Sequence, residues 1–358
     1  MPEVPTGAHL GPFGPLRQPR LDPHPDPARD YAAAVARIEA IRTDEARLPL
    51  IPEAASIAHL KGHRTPEAVL IFHGFTTVPA QFEHLARAYA DRGHNVWVPR
   101  LPFHGETNRL TRNPSRLTAE LLRDFADRHV DIAAGLGEHV TVVGLSVGGS
   151  LCIWASVARS EVSHTALLSP LLLPTGVAPW QAGVLARLLR ASPVDVYRWW
   201  DPVGKDTGPK LYAYPRLSLK GLAAMLSLTR WAARRARRRP IAGEVVLVRN
   251  DGDPFLDASY VESFVRRLVP DERLRVHTIP AGDRLGHDLV CAHPAAENYA
   301  TIDQAYAHLG AALGLDLADP RGESSRPHSY AHPAGTDEAI QTATRHMPGD
   351  AHHAGTDG

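Results

Sequence analysis

Cysteine is scarce: two residues in 358. That is too few for a disulfide framework, so nothing in the chain calls for an oxidising compartment. An excess of charge is missing too. Lys and Arg together number 39, and so do Asp and Glu. A general nucleic-acid binder would carry a clear basic excess, so no nucleic-acid partner is expected. Lysine itself is rare (Lys61, Lys205, Lys210 and Lys220), with Arg supplying the rest of the positive charge. No run approaches about 18 uninterrupted apolar residues, so no transmembrane helix and no stable membrane insertion are expected. Near the start there is no apolar stretch behind a basic segment, which leaves no secretory leader to read and makes the cytoplasm the expected location.

What is present is an ordinary globular composition, 44% hydrophobic and 22% charged. The length allows two domains, or one large domain with insertions. The ends differ from the middle. Residues 1–28 carry repeated prolines (Pro2 to Pro27), which remove backbone donors and restrict their neighbours, so this segment reads as poorly ordered. From 319 to 358 the chain is Gly, Pro, Ser, Thr and His with few large apolar residues, and it reads as a disordered tail. The tail holds His328, His332, His346, His352 and His353, but their spacing matches no closed zinc site, so no metal is expected.

Between the ends, residues 29–318 alternate in character. Short β-branched runs occur at Ala68–Phe72, Asn95–Val98, Val140–Val143, Thr165–Leu168, Val245–Val248 and Val276–Ile279. Helical stretches fall between them, at Ala80–Arg92, Thr118–Ala134, Gly148–Ala158 and Tyr260–Leu268, with others at 28–47 and Ala295–Leu313. That alternation predicts an α/β fold, a mostly parallel, doubly wound sheet covered by helices on both faces. It breaks between about Leu171 and Pro240, where helical segments occur without a convincing strand. An insertion of that length suits a small helical lid over the carboxyl ends of the strands.

Four features carry chemistry. Gly144-Leu145-Ser146-Val147-Gly148 follows one apolar run and opens a helix. A serine on such a turn needs a strained backbone, and glycines two residues either side leave room for it. Phe72-His73-Gly74-Phe75 follows an earlier run, so the N–H groups of Phe75 and Val147 are candidates for an oxyanion hole. After Val245–Val248 come Asp251, Asp253 and Asp257. Asp251-Gly252 has the character of a turn, so Asp251 reads as structural; Asp253 is the chosen acid, with Asp257 the remaining alternative. After Val276–Ile279 a loop carries His287, the chosen base; His277 falls within the run and His293 beyond the loop. The chain order Ser146, Asp253, His287 is that of the α/β-hydrolase arrangement.

With these residues in place, the sequence resembles the α/β-hydrolase superfamily, and within it serine hydrolases of the carboxylesterase and monoacylglycerol-lipase type. The resemblance spans roughly residues 65–315. It rests on His73-Gly74-Phe75, the run Pro99-Arg100-Leu101-Pro102-Phe103-His104-Gly105, the turn around Ser146, Asp253, and Gly286-His287. Two departures stand out. Asn250 replaces the usual glycine before the acid turn, a mild change because Asn tolerates left-handed backbone. The early antiparallel strands are hard to find before residue 65.

The expected function is cleavage of small-molecule carboxylic esters through an acyl-enzyme, with no metal or organic cofactor. Thioester or amide cleavage or acyl transfer by the same residues is the alternative within enzymes, since a triad does not fix the substrate. A non-catalytic binding protein is the alternative outside them. His104, Leu171 and Trp180 are the candidates for contacting substrate, with a turn-fixing role the competing reading for His104 and lid packing for the other two. The arginine run Arg234, Arg235, Arg237, Arg238 and Arg239 reads as a solvated helix end, where cations suit the dipole. The sequence is silent on oligomeric state.

Overall fold

The computed structural model describes residues 18–173, 176–200, 211–296 and 298–317. The strands are β1 (Ile57–His59), β2 (Thr65–Phe72), β3 (Asn95–Val98), β4 (Gly137–Leu145), β5 (Val162–Leu168), β6 (Tyr197–Trp199), β7 (Arg216–Ser218), β8 (Glu244–Asn250) and β9 (Leu274–Ile279). Seven of them form one sheet in the order β1-β3-β2-β4-β5-β8-β9, while β6 and β7 pair separately. All pairs in the large sheet are parallel except β1 with β3. The helices are α1 (Tyr31–Glu45), α2 (Glu83–Asp91), α3 (Ala119–Leu136), α4 (Val147–Ala158), α5 (Pro179–Ala191), α6 (Leu219–Ala236), α7 (Ala258–Val265) and α8 (Ile302–Leu313).

Continuous apolar strands are what a sheet covered on both faces requires. Successive side chains point to opposite faces, and here they divide between two cores. Ala68, Leu70 and Phe72 of β2, Val140 and Val142 of β4, and Val245 and Leu247 of β8 pack in one, with α1, α3, α4, α6 and α7. Val69, Ile71, Val143, Leu145, Val246 and Val248 pack in the other, with α2 and α8. Helix starts are fixed by side-chain caps: Asp30 for α1, Thr118 for α3, Ser218 for α6 and Asp257 for α7 each accept a backbone N–H from the first turn. No helix among the described residues is long and apolar enough to cross a membrane.

Three expectations need correction. A short antiparallel strand, β1, does precede residue 65; its three half-buried residues offer too little pattern for the sequence to announce it. The stretch between Leu171 and Pro240 contains the strands β6 and β7 besides α5 and α6, and they join its two halves by backbone pairing. Of the N-terminal segment, residues 18–28 are packed on the domain. Leu21 is fully buried, and its carbonyl accepts the indole N–H of Trp154 at 2.9 Å. The N–H groups of His24 and Asp26 bond to the carboxylates of Asp127 and Asp131 on α3. The prolines prevent a ladder, so side chains satisfy this strap's remaining polar backbone. Residues 1–17 and the tail 319–358, with its histidines, lie outside the described residues.

Candidate active site

The parallel strands deliver their loops to one edge of the sheet, and the site is built there. Ser146 follows β4 with φ 56° and ψ −116°, a conformation rarely held by a residue with a side chain. Its backbone is fixed on both sides: its N–H donates to Leu168 O at 3.0 Å, and its carbonyl accepts from Leu171 N at 2.9 Å. The flanking glycines are there for contact. A Cβ on Gly144 would stand 2.3 Å from the carbonyl carbon of Gly148, and one on Gly148 would stand 1.9 Å from Phe72 O. The turn therefore presses directly on β2, which no larger residue would allow.

The candidate acid and base lie in the loops after neighbouring strands, β8 and β9. His287 Nδ1 lies 2.6 Å from Asp253 Oδ2. The Asp253 side chain is 1% exposed and that of His287 21%, so the carboxylate is dry and the imidazole reaches solvent. The other Asp253 oxygen accepts the N–H of Phe255 at 2.8 Å. Asp251 is taken up in a surface ion pair with Arg249, and Asp257 caps α7 by accepting the N–H of Tyr260. Of the three aspartates, Asp253 is the one brought against His287. Among the described residues neither Ser146 Oγ nor His287 Nε2 has a hydrogen-bond partner.

Asn250 is the residue that sequence reasoning missed. The expectation was a left-handed backbone standing in for glycine, yet Asn250 has no positive φ. Its buried side chain works instead. Nδ2 donates to Leu285 O at 3.1 Å and Gly286 O at 3.0 Å, just before His287, while Oδ1 accepts from Gly252 N at 3.0 Å. One amide thus ties the acid turn to the histidine loop. The only sequence signal for it was that Asn stood where the resemblance expected Gly.

Upstream of Ser146, His73 is fully buried. Its Nδ1 donates to Gly74 O and its Nε2 accepts from Leu101 N, both at 2.9 Å, so it clamps the loops after β2 and β3. Phe75 follows in that loop, and its ring packs on Gly221 of α6, where a Cβ would stand 2.8 Å from it. Val147 is the first residue of α4, so its N–H has no acceptor one turn back.

The three candidates for substrate contact fare differently. His104 is completely buried. Its Nδ1 donates to Pro102 O at 2.9 Å, its ring lies 5.2 Å from that of Phe75, and its Nε2 has no partner among the described residues. Burial pushes its imidazole down to about 4. Its place is behind Phe75, as a loop-fixing residue, and not on an open surface. Leu171 is half-buried against the core beside the turn, and its N–H is held by Ser146 O. Trp180 is 75% exposed, on the outward face of α5 with Val184 and Leu188. The inward stripe of that helix is Ala182 and Ala186, and at this helical spacing Trp180 falls opposite it. No group of three or more His, Cys, Asp or Glu side chains placed to hold a metal occurs among the described residues.

A mostly parallel sheet with a strained serine between β4 and α4, and an Asp–His pair after β8 and β9, defines an α/β-hydrolase fold. A family model described as the alpha/beta hydrolase family matches residues 69–301, so the chain belongs to that family. A thermostable monoacylglycerol lipase of Bacillus sp. (strain H-257) is 28% identical over an alignment of 180 residues that covers 46% of this chain and 64% of the relative. The chain thus matches less than two thirds of that relative's length. Among solved structures, a lipolytic enzyme from the metagenome-derived LipS and LipT pair superposes with a TM-score of 0.54 at 19% identity, covering 72% of this chain and 98% of the other. A soluble variant of monoglyceride lipase from Saccharomyces cerevisiae, in complex with a substrate analog, gives 0.52 at 16% identity, covering 71% and 90%. At these identities the likeness is one of fold.

Proposed function

We propose that the protein is a serine hydrolase of small carboxylic esters, with Ser146 as nucleophile, His287 as general base and Asp253 as the carboxylate that orients the imidazole. The observation that carries this reading is the 2.6 Å contact between His287 Nδ1 and the buried Asp253 Oδ2. A carboxylate there selects the tautomer with its proton on Nδ1, which leaves Nε2 a base. The strained backbone of Ser146 supports it, because that turn raises the hydroxyl above the sheet.

In this mechanism Ser146 Oγ attacks the ester carbonyl as His287 Nε2 takes its proton. The N–H groups of Phe75 and Val147 receive the developing oxyanion. Collapse of the tetrahedral intermediate expels the alcohol, protonated by His287, and leaves an acyl-enzyme. Water, deprotonated by His287, attacks that ester in turn, and loss of Ser146 Oγ with its proton restored releases the acid. The chemistry runs on side chains and backbone alone. Kinship with a monoacylglycerol lipase supports acyl esters of glycerol or similar small alcohols as the substrate class.

The test is hydrolysis of p-nitrophenyl esters of increasing acyl length, in parallel with thioester and amide panels. Wild type is expected to prefer esters of short to medium chain, and to be labelled by a fluorophosphonate. Ser146→Ala should lose labelling and on the order of 10^4-fold or more in kcat, with Asp253→Asn and His287→Gln also severely impaired. Turnover unchanged in Ser146→Ala removes the proposed nucleophile.

A further inference from the structure

Four arginines meet on the insertion, where α5 packs on α6. Arg187 and Arg190 from α5 and Arg230 and Arg234 from α6 line one small cleft, closed at one end by Gln18 of the N-terminal strap. The chain as a whole carries equal numbers of positive and negative side chains, so this concentration does not follow from composition. No carboxylate is among the lining residues.

The cations are gathered at a cost. Burial and the charges of Arg230 and Arg187 hold the Arg234 guanidinium below its usual value. Burial and Arg187 act the same way on Arg190, with Glu120 in partial opposition. Geometry aims two of the groups. Arg190 Nη1 donates to Ser227 Oγ at 3.1 Å. The Arg230 guanidinium lies across Gly183, where a Cβ would stand 2.4 Å from its Nη2 and 2.5 Å from its Cζ. The absence of a side chain at Gly183 is what lets Arg230 reach across the seam towards the α5 arginines.

We propose that this cleft binds a phosphate group, carried either by a soluble organic phosphate or by a phospholipid head group. Guanidinium forks match phosphate oxygens in pairs, and the forks of Arg187, Arg230 and Arg234 in one cleft suit a doubly charged tetrahedral anion. The cleft is open on one side, so a phosphate group need not be enclosed to reach the guanidinium groups. A ligand seated there bridges α5 to α6 and neutralises the repulsion between their arginines, so it fastens α5 to α6. The site is independent of Ser146.

Calorimetric titration of the full chain with inorganic pyrophosphate at low salt is the first arm. Vesicles of phosphatidylcholine with and without phosphatidic acid are the second. Pyrophosphate binding at one site assigns a soluble phosphate; binding of only the phosphatidic acid vesicles assigns a lipid head group. Arg230→Gln and Arg187→Gln should each weaken the bound form roughly tenfold or more. Gly183→Ala is the decisive variant, since it keeps every charge, improves helix propensity and displaces Arg230; it too should weaken binding about tenfold, with an unchanged far-UV spectrum. The proposal fails if neither probe binds. It fails equally if Gly183→Ala binds as wild type while losses elsewhere merely follow net charge.

Discussion

Asn250 shows how much of the candidate site rests on one amide. Its side chain serves the carbonyls of buried Leu285 and of Gly286 ahead of His287, and one N–H of the acid turn. Replacing it with Ala leaves the buried Leu285 carbonyl without that donor and frees the histidine loop. Asn250→Ala is expected to lower kcat on the order of tenfold with little change in KM, because it alters how the imidazole is held and not what the substrate touches. Steady-state kinetics on a soluble ester checks this, and an unchanged kcat would show that the loop is held by other contacts. Gly148 makes the opposite point. A methyl group there has 1.9 Å to Phe72 O, so Gly148→Ala must push the elbow off β2. It is expected to cost about 3 kcal/mol of stability and most of the activity together, measured by urea denaturation and ester turnover.

At the scale of elements, the strap and the helices behind the sheet share one buried ionic network. Arg159, at the end of α4, pairs with Asp127 and Asp131 of α3 and with Glu161 before β5. Its side chain is wholly buried, and those of Asp127 and Asp131 are 5% and 6% exposed. The same two carboxylates receive the N–H groups of His24 and Asp26, so one arginine underlies the docking of residues 18–28. Arg159→Met leaves buried carboxylates unpaired and is expected to destabilise by about 3–5 kcal/mol. Limited proteolysis should then cut within the strap before the rest of the domain; a strap as resistant as in wild type would separate the network from its docking. None of this was legible in the Pro-rich sequence, because proline density reports what the segment cannot form with itself and says nothing of an α3 face 100 residues away.

For the molecule as a whole, three buried histidines set a pH dependence. Burial holds His104 at about 4, and burial likewise holds His73 and His129 well below the usual imidazole value. Two of them accept hydrogen bonds on a ring nitrogen, His73 from Leu101 N and His129 from the Trp97 indole N–H, so the folded protein needs them neutral. The unfolded chain binds protons near pH 6.5 and the folded one only at lower pH. Stability is therefore complete above about 6.5 and falls as pH drops towards 4, with His104 alone contributing up to about 3 kcal/mol. Urea denaturation at about pH 7 and pH 5 should show a marked loss at the lower pH, and His104→Gln should flatten the slope. A slope unaltered by that substitution would remove His104 from the account.

The sequence by itself determined the sheet and the order of the site. Val-rich runs form buried strands wherever both faces are covered, and a serine between glycines at the end of such a run has few backbone conformations open to it; these are local consequences, legible within a few residues. Asp253 and His287 could be picked as candidates from turn chemistry and from their places just after apolar runs. What the tertiary structure decided was contact over long separations: Asp253 against His287, Asn250 against Leu285 and Gly286, the strap against α3, Arg230 across Gly183. It also turned Trp180 outward and hid His104. Periodicity says which face of an element is apolar, but which neighbour covers that face is decided when helices and strands from distant parts of the chain pack together.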